Sequence, residues 1–160
     1  MLEIVNGDLF DSKEKYLLHQ TNCVTNRAAH LSKDVFERYP YADIYTHRTE
    51  PSVPGTIEIR GDGQEKRFVI NLLGQYYPGK PKYPDSKLDG ALAREKYFHK
   101  CLLKVAKIEN LESIALPWRI ACGAAGGNWS HYLGTINNFA QYIYSTQGAK
   151  TIIYRKDNAE

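Results

Sequence analysis

The apolar positions change period several times along this chain. Residues 2–5 form a short apolar run, closed by the turn-forming Asn6-Gly7-Asp8. Tyr16-Leu17-Leu18 is a second run and leads into a polar stretch, 19–27. Over 28–39, Leu31, Val35 and Tyr39 recur at helical spacing, and Pro40 ends the helix. Residues 56–60 alternate, Gly61-Asp62-Gly63 turns the chain, and 67–73 is apolar again, which predicts a hairpin. A Tyr-, Pro-, Gly- and Lys-rich loop follows over 75–86, too short to link domains. Ala91, Phe98, Cys101, Leu102 and Val105 mark a long amphipathic helix. Residues 113–116 read as a strand, 118–129 as a glycine-rich loop, and Leu133, Ile136, Ala140 and Ile143 as one face of a helix. Residues 151–154 are a final strand.

Strands alternating with helices predict an α/β protein with a mostly parallel sheet covered on both faces. The pattern gives one domain over 1–155 and a short charged tail over 156–160. In such sheets ligands sit beyond the carboxyl ends of the strands. Chemistry is therefore expected in the loops after Val5, Leu18 and Leu116.

Composition narrows this further. The chain has 160 residues, and 42% hydrophobic content predicts an ordered core rather than disorder. A net charge of +3 favours an anionic ligand but is too small for a dedicated nucleic-acid binder. Cys23, Cys101 and Cys122 are scattered and odd in number, which argues against a disulfide framework. No Cys-x-x-Cys or His-x-x-x-His spacing occurs, so neither a metal nor any other cofactor is expected. With no leader-like or membrane-length apolar run, the expectation is a soluble, cytoplasmic monomer without membrane partners, or a nuclear one in a eukaryote.

The most informative segment is Leu116-Pro117-Trp118-Arg119-Ile120-Ala121-Cys122-Gly123-Ala124-Ala125-Gly126-Gly127-Asn128-Trp129. Small side chains let backbone N–H groups approach a ligand, and the following helix adds positive charge at its N-terminus. This suits a diphosphate. The segment lacks the Gly-Lys-Ser/Thr ending of a P-loop and the Gly-x-Gly-x-x-Gly of a dinucleotide fold. The alternative is a plain flexible connection. Asp8 can accept from an exocyclic amine or simply cap a turn. The stretch His19-Gln20-Thr21-Asn22-Cys23-Val24-Thr25-Asn26 can contact ribose hydroxyls or stitch its own loop, and His19 alone can be a structural histidine.

Taken together, Gly7-Asp8-Leu9, His19-Gln20-Thr21-Asn22-Cys23 and Phe36-Glu37-Arg38-Tyr39-Pro40 resemble the opening of macrodomains. Leu116-Pro117, Ile120-Ala121-Cys122-Gly123 and Gly126-Gly127-Asn128-Trp129 resemble that family's phosphate loop. The likeness spans nearly the whole chain. It is greatest to the branch with terminal ADP-ribose protein glycohydrolase and the yeast-type ADP-ribose-1″-phosphate phosphatase.

The resemblance implies a three-layer α/β/α sandwich on a central mixed sheet of about six strands. It implies binding of ADP-ribose or its derivatives, free or protein-linked. Asp8 would hold the adenine amine, with the Leu9 backbone and Tyr154 beside the ring. The 21–31 loop, with Thr21, Asn22, Asn26, His30 and Leu31, would approach the distal ribose. Arg119, Cys122, Gly123, Ala124, Ala125, Gly126 and Gly127 would surround the diphosphate.

Two departures bear on activity. Ala28-Ala29-His30 stands where many macrodomains carry three glycines. The nucleophilic lysine of the glycohydrolase branch aligns with Leu72 or Leu73, and its assisting aspartate with Ala125. Lys80 and Lys82 lie nearby but beyond Tyr-Tyr-Pro-Gly. Without an amine nucleophile the Schiff-base route has no starting point. A hydrolase or phosphatase acting on ADP-ribose-1″-phosphate or ADP-ribosylated protein would have His19 as general base and Asn128 to position water. The remaining alternative is an RNA or poly(ADP-ribose) binder using the Tyr76-Tyr77 and Lys80-Pro81-Lys82-Tyr83 loop.

Overall fold

In the computed structural model, which describes residues 1–156, six strands form one sheet. They are β1 (Leu2–Asn6), β2 (Tyr16–Asn22), β3 (Ile57–Arg60), β4 (Phe68–Gln75), β5 (Ser113–Pro117) and β6 (Lys150–Arg155). Three helices separate them: α1 (His30–Arg38), α2 (Ala91–Ala106) and α3 (Trp129–Gln147). The spatial order is β1-β6-β5-β2-β4-β3, parallel throughout except for β3 against β4. The sheet is thus mixed, and its one antiparallel pair is the predicted hairpin. Its turn is fixed by Asp62, whose Oδ1 accepts from the amides of Gln64 and Lys66 at 2.8 and 2.9 Å. Gly61, at φ +102°, stands so close to the Arg67 carbonyl that any Cβ would overlap it.

Side-chain alternation divides the core in two. On one face Leu18, Ile70, Leu72, Leu116 and Ile153 pack with Phe98 and Leu102 of α2 and Ile136 and Ile143 of α3. On the other, Leu17, Val69 and Ala115 pack with Val35 and Phe36 of α1 and with Tyr45. Neighbouring strand residues such as Leu17 and Leu18 are both fully buried, as a sheet covered on both faces requires. Each contributes about 2 kcal/mol of apolar burial. The result is the expected three-layer sandwich. Among the described residues no helix is long and apolar enough to cross a membrane.

The largest boundary difference from the sequence reading lies in β2. Residues 19–22 are not loop but the last residues of β2. Their polar side chains hid the strand, because buried polar groups that pair with each other sit inside a sheet as readily as apolar ones.

Candidate functional site

Two strand ends and α1 enclose a cleft of about 360 Å³. The end of β2 brings Gln20, Thr21 and Asn22, the approach to α1 brings Arg27, His30, Leu31 and Ser32, and the loop after β5 brings residues 117–121 and 123–125. Tyr45 and Gln75 complete the wall. The loops after β2 and β5 therefore meet as expected. The loop after β1 does not reach this cleft.

The segment after β5 is shaped by its own backbone. Cys122 N–H donates to Arg119 O at 2.9 Å, Gly126 N–H to Gly123 O at 3.1 Å, and Gly127 N–H to Ala121 O at 3.0 Å. Other donors are left over: the N–H groups of Ala121, Gly123, Ala124 and Ala125 meet no acceptor among the described residues. All four residues line the cleft. Unpaired backbone donors beside a cavity form a site for anionic oxygen. Arg27 and Arg119 also line the cleft, and no aspartate or glutamate does among the described residues.

Three cleft residues hold left-handed backbone without being glycine: His30 at φ +53°, Arg119 at +61° and Ala121 at +66°. Such strain costs about 1–2 kcal/mol per residue and persists where the surroundings enforce it. Gly127 is enforced differently, since a Cβ there would meet Ala121 O at 2.6 Å and the Tyr132 ring at 2.8 Å.

A buried ion pair joins the 76–90 loop to this segment. Arg94 of α2 and Asp89 are 3% and 7% exposed and 2.7 Å apart. Asp89 accepts from the amides of Tyr76 and Tyr77 at 2.7 and 3.2 Å. Arg94 donates to Gly79 O at 2.6 Å, Tyr77 O at 3.1 Å and Ala125 O at 3.4 Å. Lys80 is brought with the loop and lays its aliphatic stem on Gly126, within 3.4 Å of where a Cβ would stand.

His19 does not serve as the expected general base. Its ring is fully buried, with Nε2 2.6 Å from Asn71 Oδ1, and burial lowers its pKa to about 4. Asn128 does not face the cleft either. It caps α3, its side chain accepting from the amide of His131 at 3.3 Å. Asn26 lies outside the cleft lining and donates to Tyr45 O and Arg48 O at 3.0 and 2.8 Å, the loop-stitching alternative. Leu9 is a core residue, 5% exposed. Tyr154 donates its hydroxyl to Glu14 at 2.5 Å. Asp8 Oδ1 accepts from Phe10 N–H at 2.9 Å, capping a one-turn 3-10 helix, while Oδ2 is 3.6 Å from Lys156 Nζ. Cys122 is buried and its thiol is pushed up to about 11, so it is no nucleophile at neutral pH. Leu72 and Leu73, aligned with the family lysine, are fully buried.

Sequence reasoning did not single out Arg27, Ser32, Tyr45 or Gln75, and it named Gln20 only as part of the 19–26 stretch. Gln20 and Gln75 had a usable signal, since each stands at the carboxyl end of a strand, and their side chains hydrogen-bond at 2.7 Å. Tyr45 had none, for it lies in an irregular segment after Pro40, outside the quoted motifs.

No family sequence model matches the chain, and no curated protein matches it. Solved structures do. The macrodomain of Mycobacterium tuberculosis DarG superposes with a TM-score of 0.71 at 18% identity, covering 96% of this chain and 97% of that one. The Thermus aquaticus DarG macrodomain gives 0.67 at 18%, covering 97% and 98%. A Trypanosoma brucei macrodomain, solved in complex with ADP-ribose, gives 0.68 at 10%, covering 96% of this chain and 62% of that one. The chain has the macrodomain fold.

Proposed function

We propose that the cleft binds ADP-ribose or a derivative of it, free or attached to a protein. The observation that carries this reading is the row of four unpaired N–H groups on a cleft wall without carboxylates. A diphosphate fits that row, with Arg27 and Arg119 adding charge. The volume suits part of a nucleotide-sized ligand. The macrodomain fold, seen with ADP-ribose in the trypanosomal relative, supports the same assignment. In this reading the adenine lies outside the enclosed part of the cleft, beside Asp8, with Oδ2 accepting its amine.

Binding is favoured over turnover by the side chains present. His19 is sealed from the cleft, Asn128 is a helix cap, and Ala125 stands where the glycohydrolase branch has its aspartate.

Calorimetric titration tests the proposal, with AMP and ribose-5-phosphate as controls. ADP-ribose is expected to bind at micromolar Kd, about −7 to −9 kcal/mol. At Gly123 a Cβ would meet nothing within 4 Å, and the residue has no positive φ, so Gly123→Glu should fold normally. Its carboxylate would stand among the free N–H groups and abolish binding. Undiminished affinity in that variant would place the ligand elsewhere.

A further inference from the structure

The inner wall of the cleft carries hydrogen-bond chains whose direction is set by an amide side chain at either end. At one end, Asn71 Nδ2 donates to the carbonyls of Ala42 and Glu58, each at 3.2 Å. That turns Asn71 Oδ1 to His19 Nε2 at 2.6 Å. An amide oxygen only accepts, so the imidazole proton is on Nε2. In the neutral ring Nδ1 is then an acceptor, and it faces Ser32 Oγ at 3.3 Å.

At the other end, Asn22 Oδ1 accepts from the amides of Val24 and Thr25 at 3.1 and 3.0 Å. That leaves Asn22 Nδ2 and the Asn22 amide to donate to Tyr45 Oη, at 3.3 and 2.9 Å. With both its acceptor sites filled, the phenol has only its proton to offer. The Ser32 proton has two acceptors in reach, His19 Nδ1 and Gln20 O, both at 3.3 Å and both on the protein side. Its lone pairs remain, on a side chain that lines the cleft.

We infer that Ser32 is a specificity-determining acceptor, turning a lone pair and no proton towards the cleft and selecting a ligand with a hydroxyl donor there. This rests on the proposed ADP-ribose reading. Ser32 lies on α1, at the side of the cleft that the diphosphate row leaves for whatever follows the diphosphate. The donor it selects is thus a hydroxyl of the distal sugar. Asn71 and His19 act through Ser32 as positioning residues, and neither is asked to transfer a proton.

The test compares ADP-ribose with ADP, which lacks the distal sugar, on the wild type and on Ser32→Ala and Ser32→Cys. Both variants should weaken ADP-ribose by about ten-fold and shift ADP less than two-fold. Retained ADP binding also shows that the variants are folded. A proton–nitrogen correlation spectrum of the wild-type imidazoles should show the proton of His19 on Nε2. Equal losses for both nucleotides, no loss for either, or a proton on Nδ1 each overturn the inference while leaving the cleft assignment standing. A wild type that binds neither nucleotide removes the proposed function, and this inference with it.

Discussion

His30 stands at φ +53° as the first residue of α1, at a position where glycine would be unstrained. The residue-by-residue cost of this backbone is about 1–2 kcal/mol, offset in part by the smaller entropy that histidine loses on folding. His30→Gly should therefore leave stability unchanged or raise it by up to about 1 kcal/mol in urea titration. His30→Val should lower it by more than about 1 kcal/mol, since a branched Cβ is least tolerant of the left-handed region. A clear loss in the glycine variant would mean that the imidazole contributes through contacts, not that the backbone is strained. The sequence shows Ala28-Ala29-His30 in place of glycines, but only the structure shows that one of the three takes left-handed backbone.

Among the elements, the 76–90 loop is held to α2 and to the segment after β5 by the Arg94–Asp89 pair. The pair is bidentate, with Arg94 Nε 3.0 Å from Asp89 Oδ1 and Nη2 2.7 Å from Oδ2. Breaking one side leaves an uncompensated buried charge, so Arg94→Met should cost about 3–5 kcal/mol. The double variant Arg94→Met, Asp89→Asn should recover part of that loss, giving a coupling energy above about 1 kcal/mol in a double-mutant cycle. Additive losses would show that the two side chains act independently. The periodicity of α2 marked Ala91, Phe98, Cys101, Leu102 and Val105, of which Ala91 is exposed and the other four are buried, and was silent about Arg94. A charged residue reads as surface until its partner is known, and Asp89 becomes that partner only through the turn that starts the helix.

For the molecule as a whole, the buried polar layer between sheet and α1 makes stability depend on pH. The pKa of His19 falls from its ordinary value of 6.5 to about 4 because burial disfavours the imidazolium, while the Asn71 hydrogen bond acts in the other direction. The unfolded chain thus binds a proton where the folded one does not. This contribution is complete above 6.5 and is lost as pH falls from 6.5 towards 4. At pH 5 the loss should be about 2 kcal/mol. The lowered carboxyls of Asp43 and Asp62 act only below their ordinary 3.8, outside this window. Urea midpoints at pH 7 and pH 5 check the effect, and His19→Gln should show a flatter dependence. Parallel declines in the two proteins would assign it to other groups. By itself the sequence determined the alternation of strands and helices, the hairpin at Gly61-Asp62-Gly63 and the small-residue segment after β5, because period and turn chemistry are local properties. Only the tertiary structure decided which polar residues face the cleft. His19 and Ser32 are both polar residues near the carboxyl end of β2, and side-chain direction plus a partner some fifty residues away on β4 sealed the first inside while leaving the second at the wall.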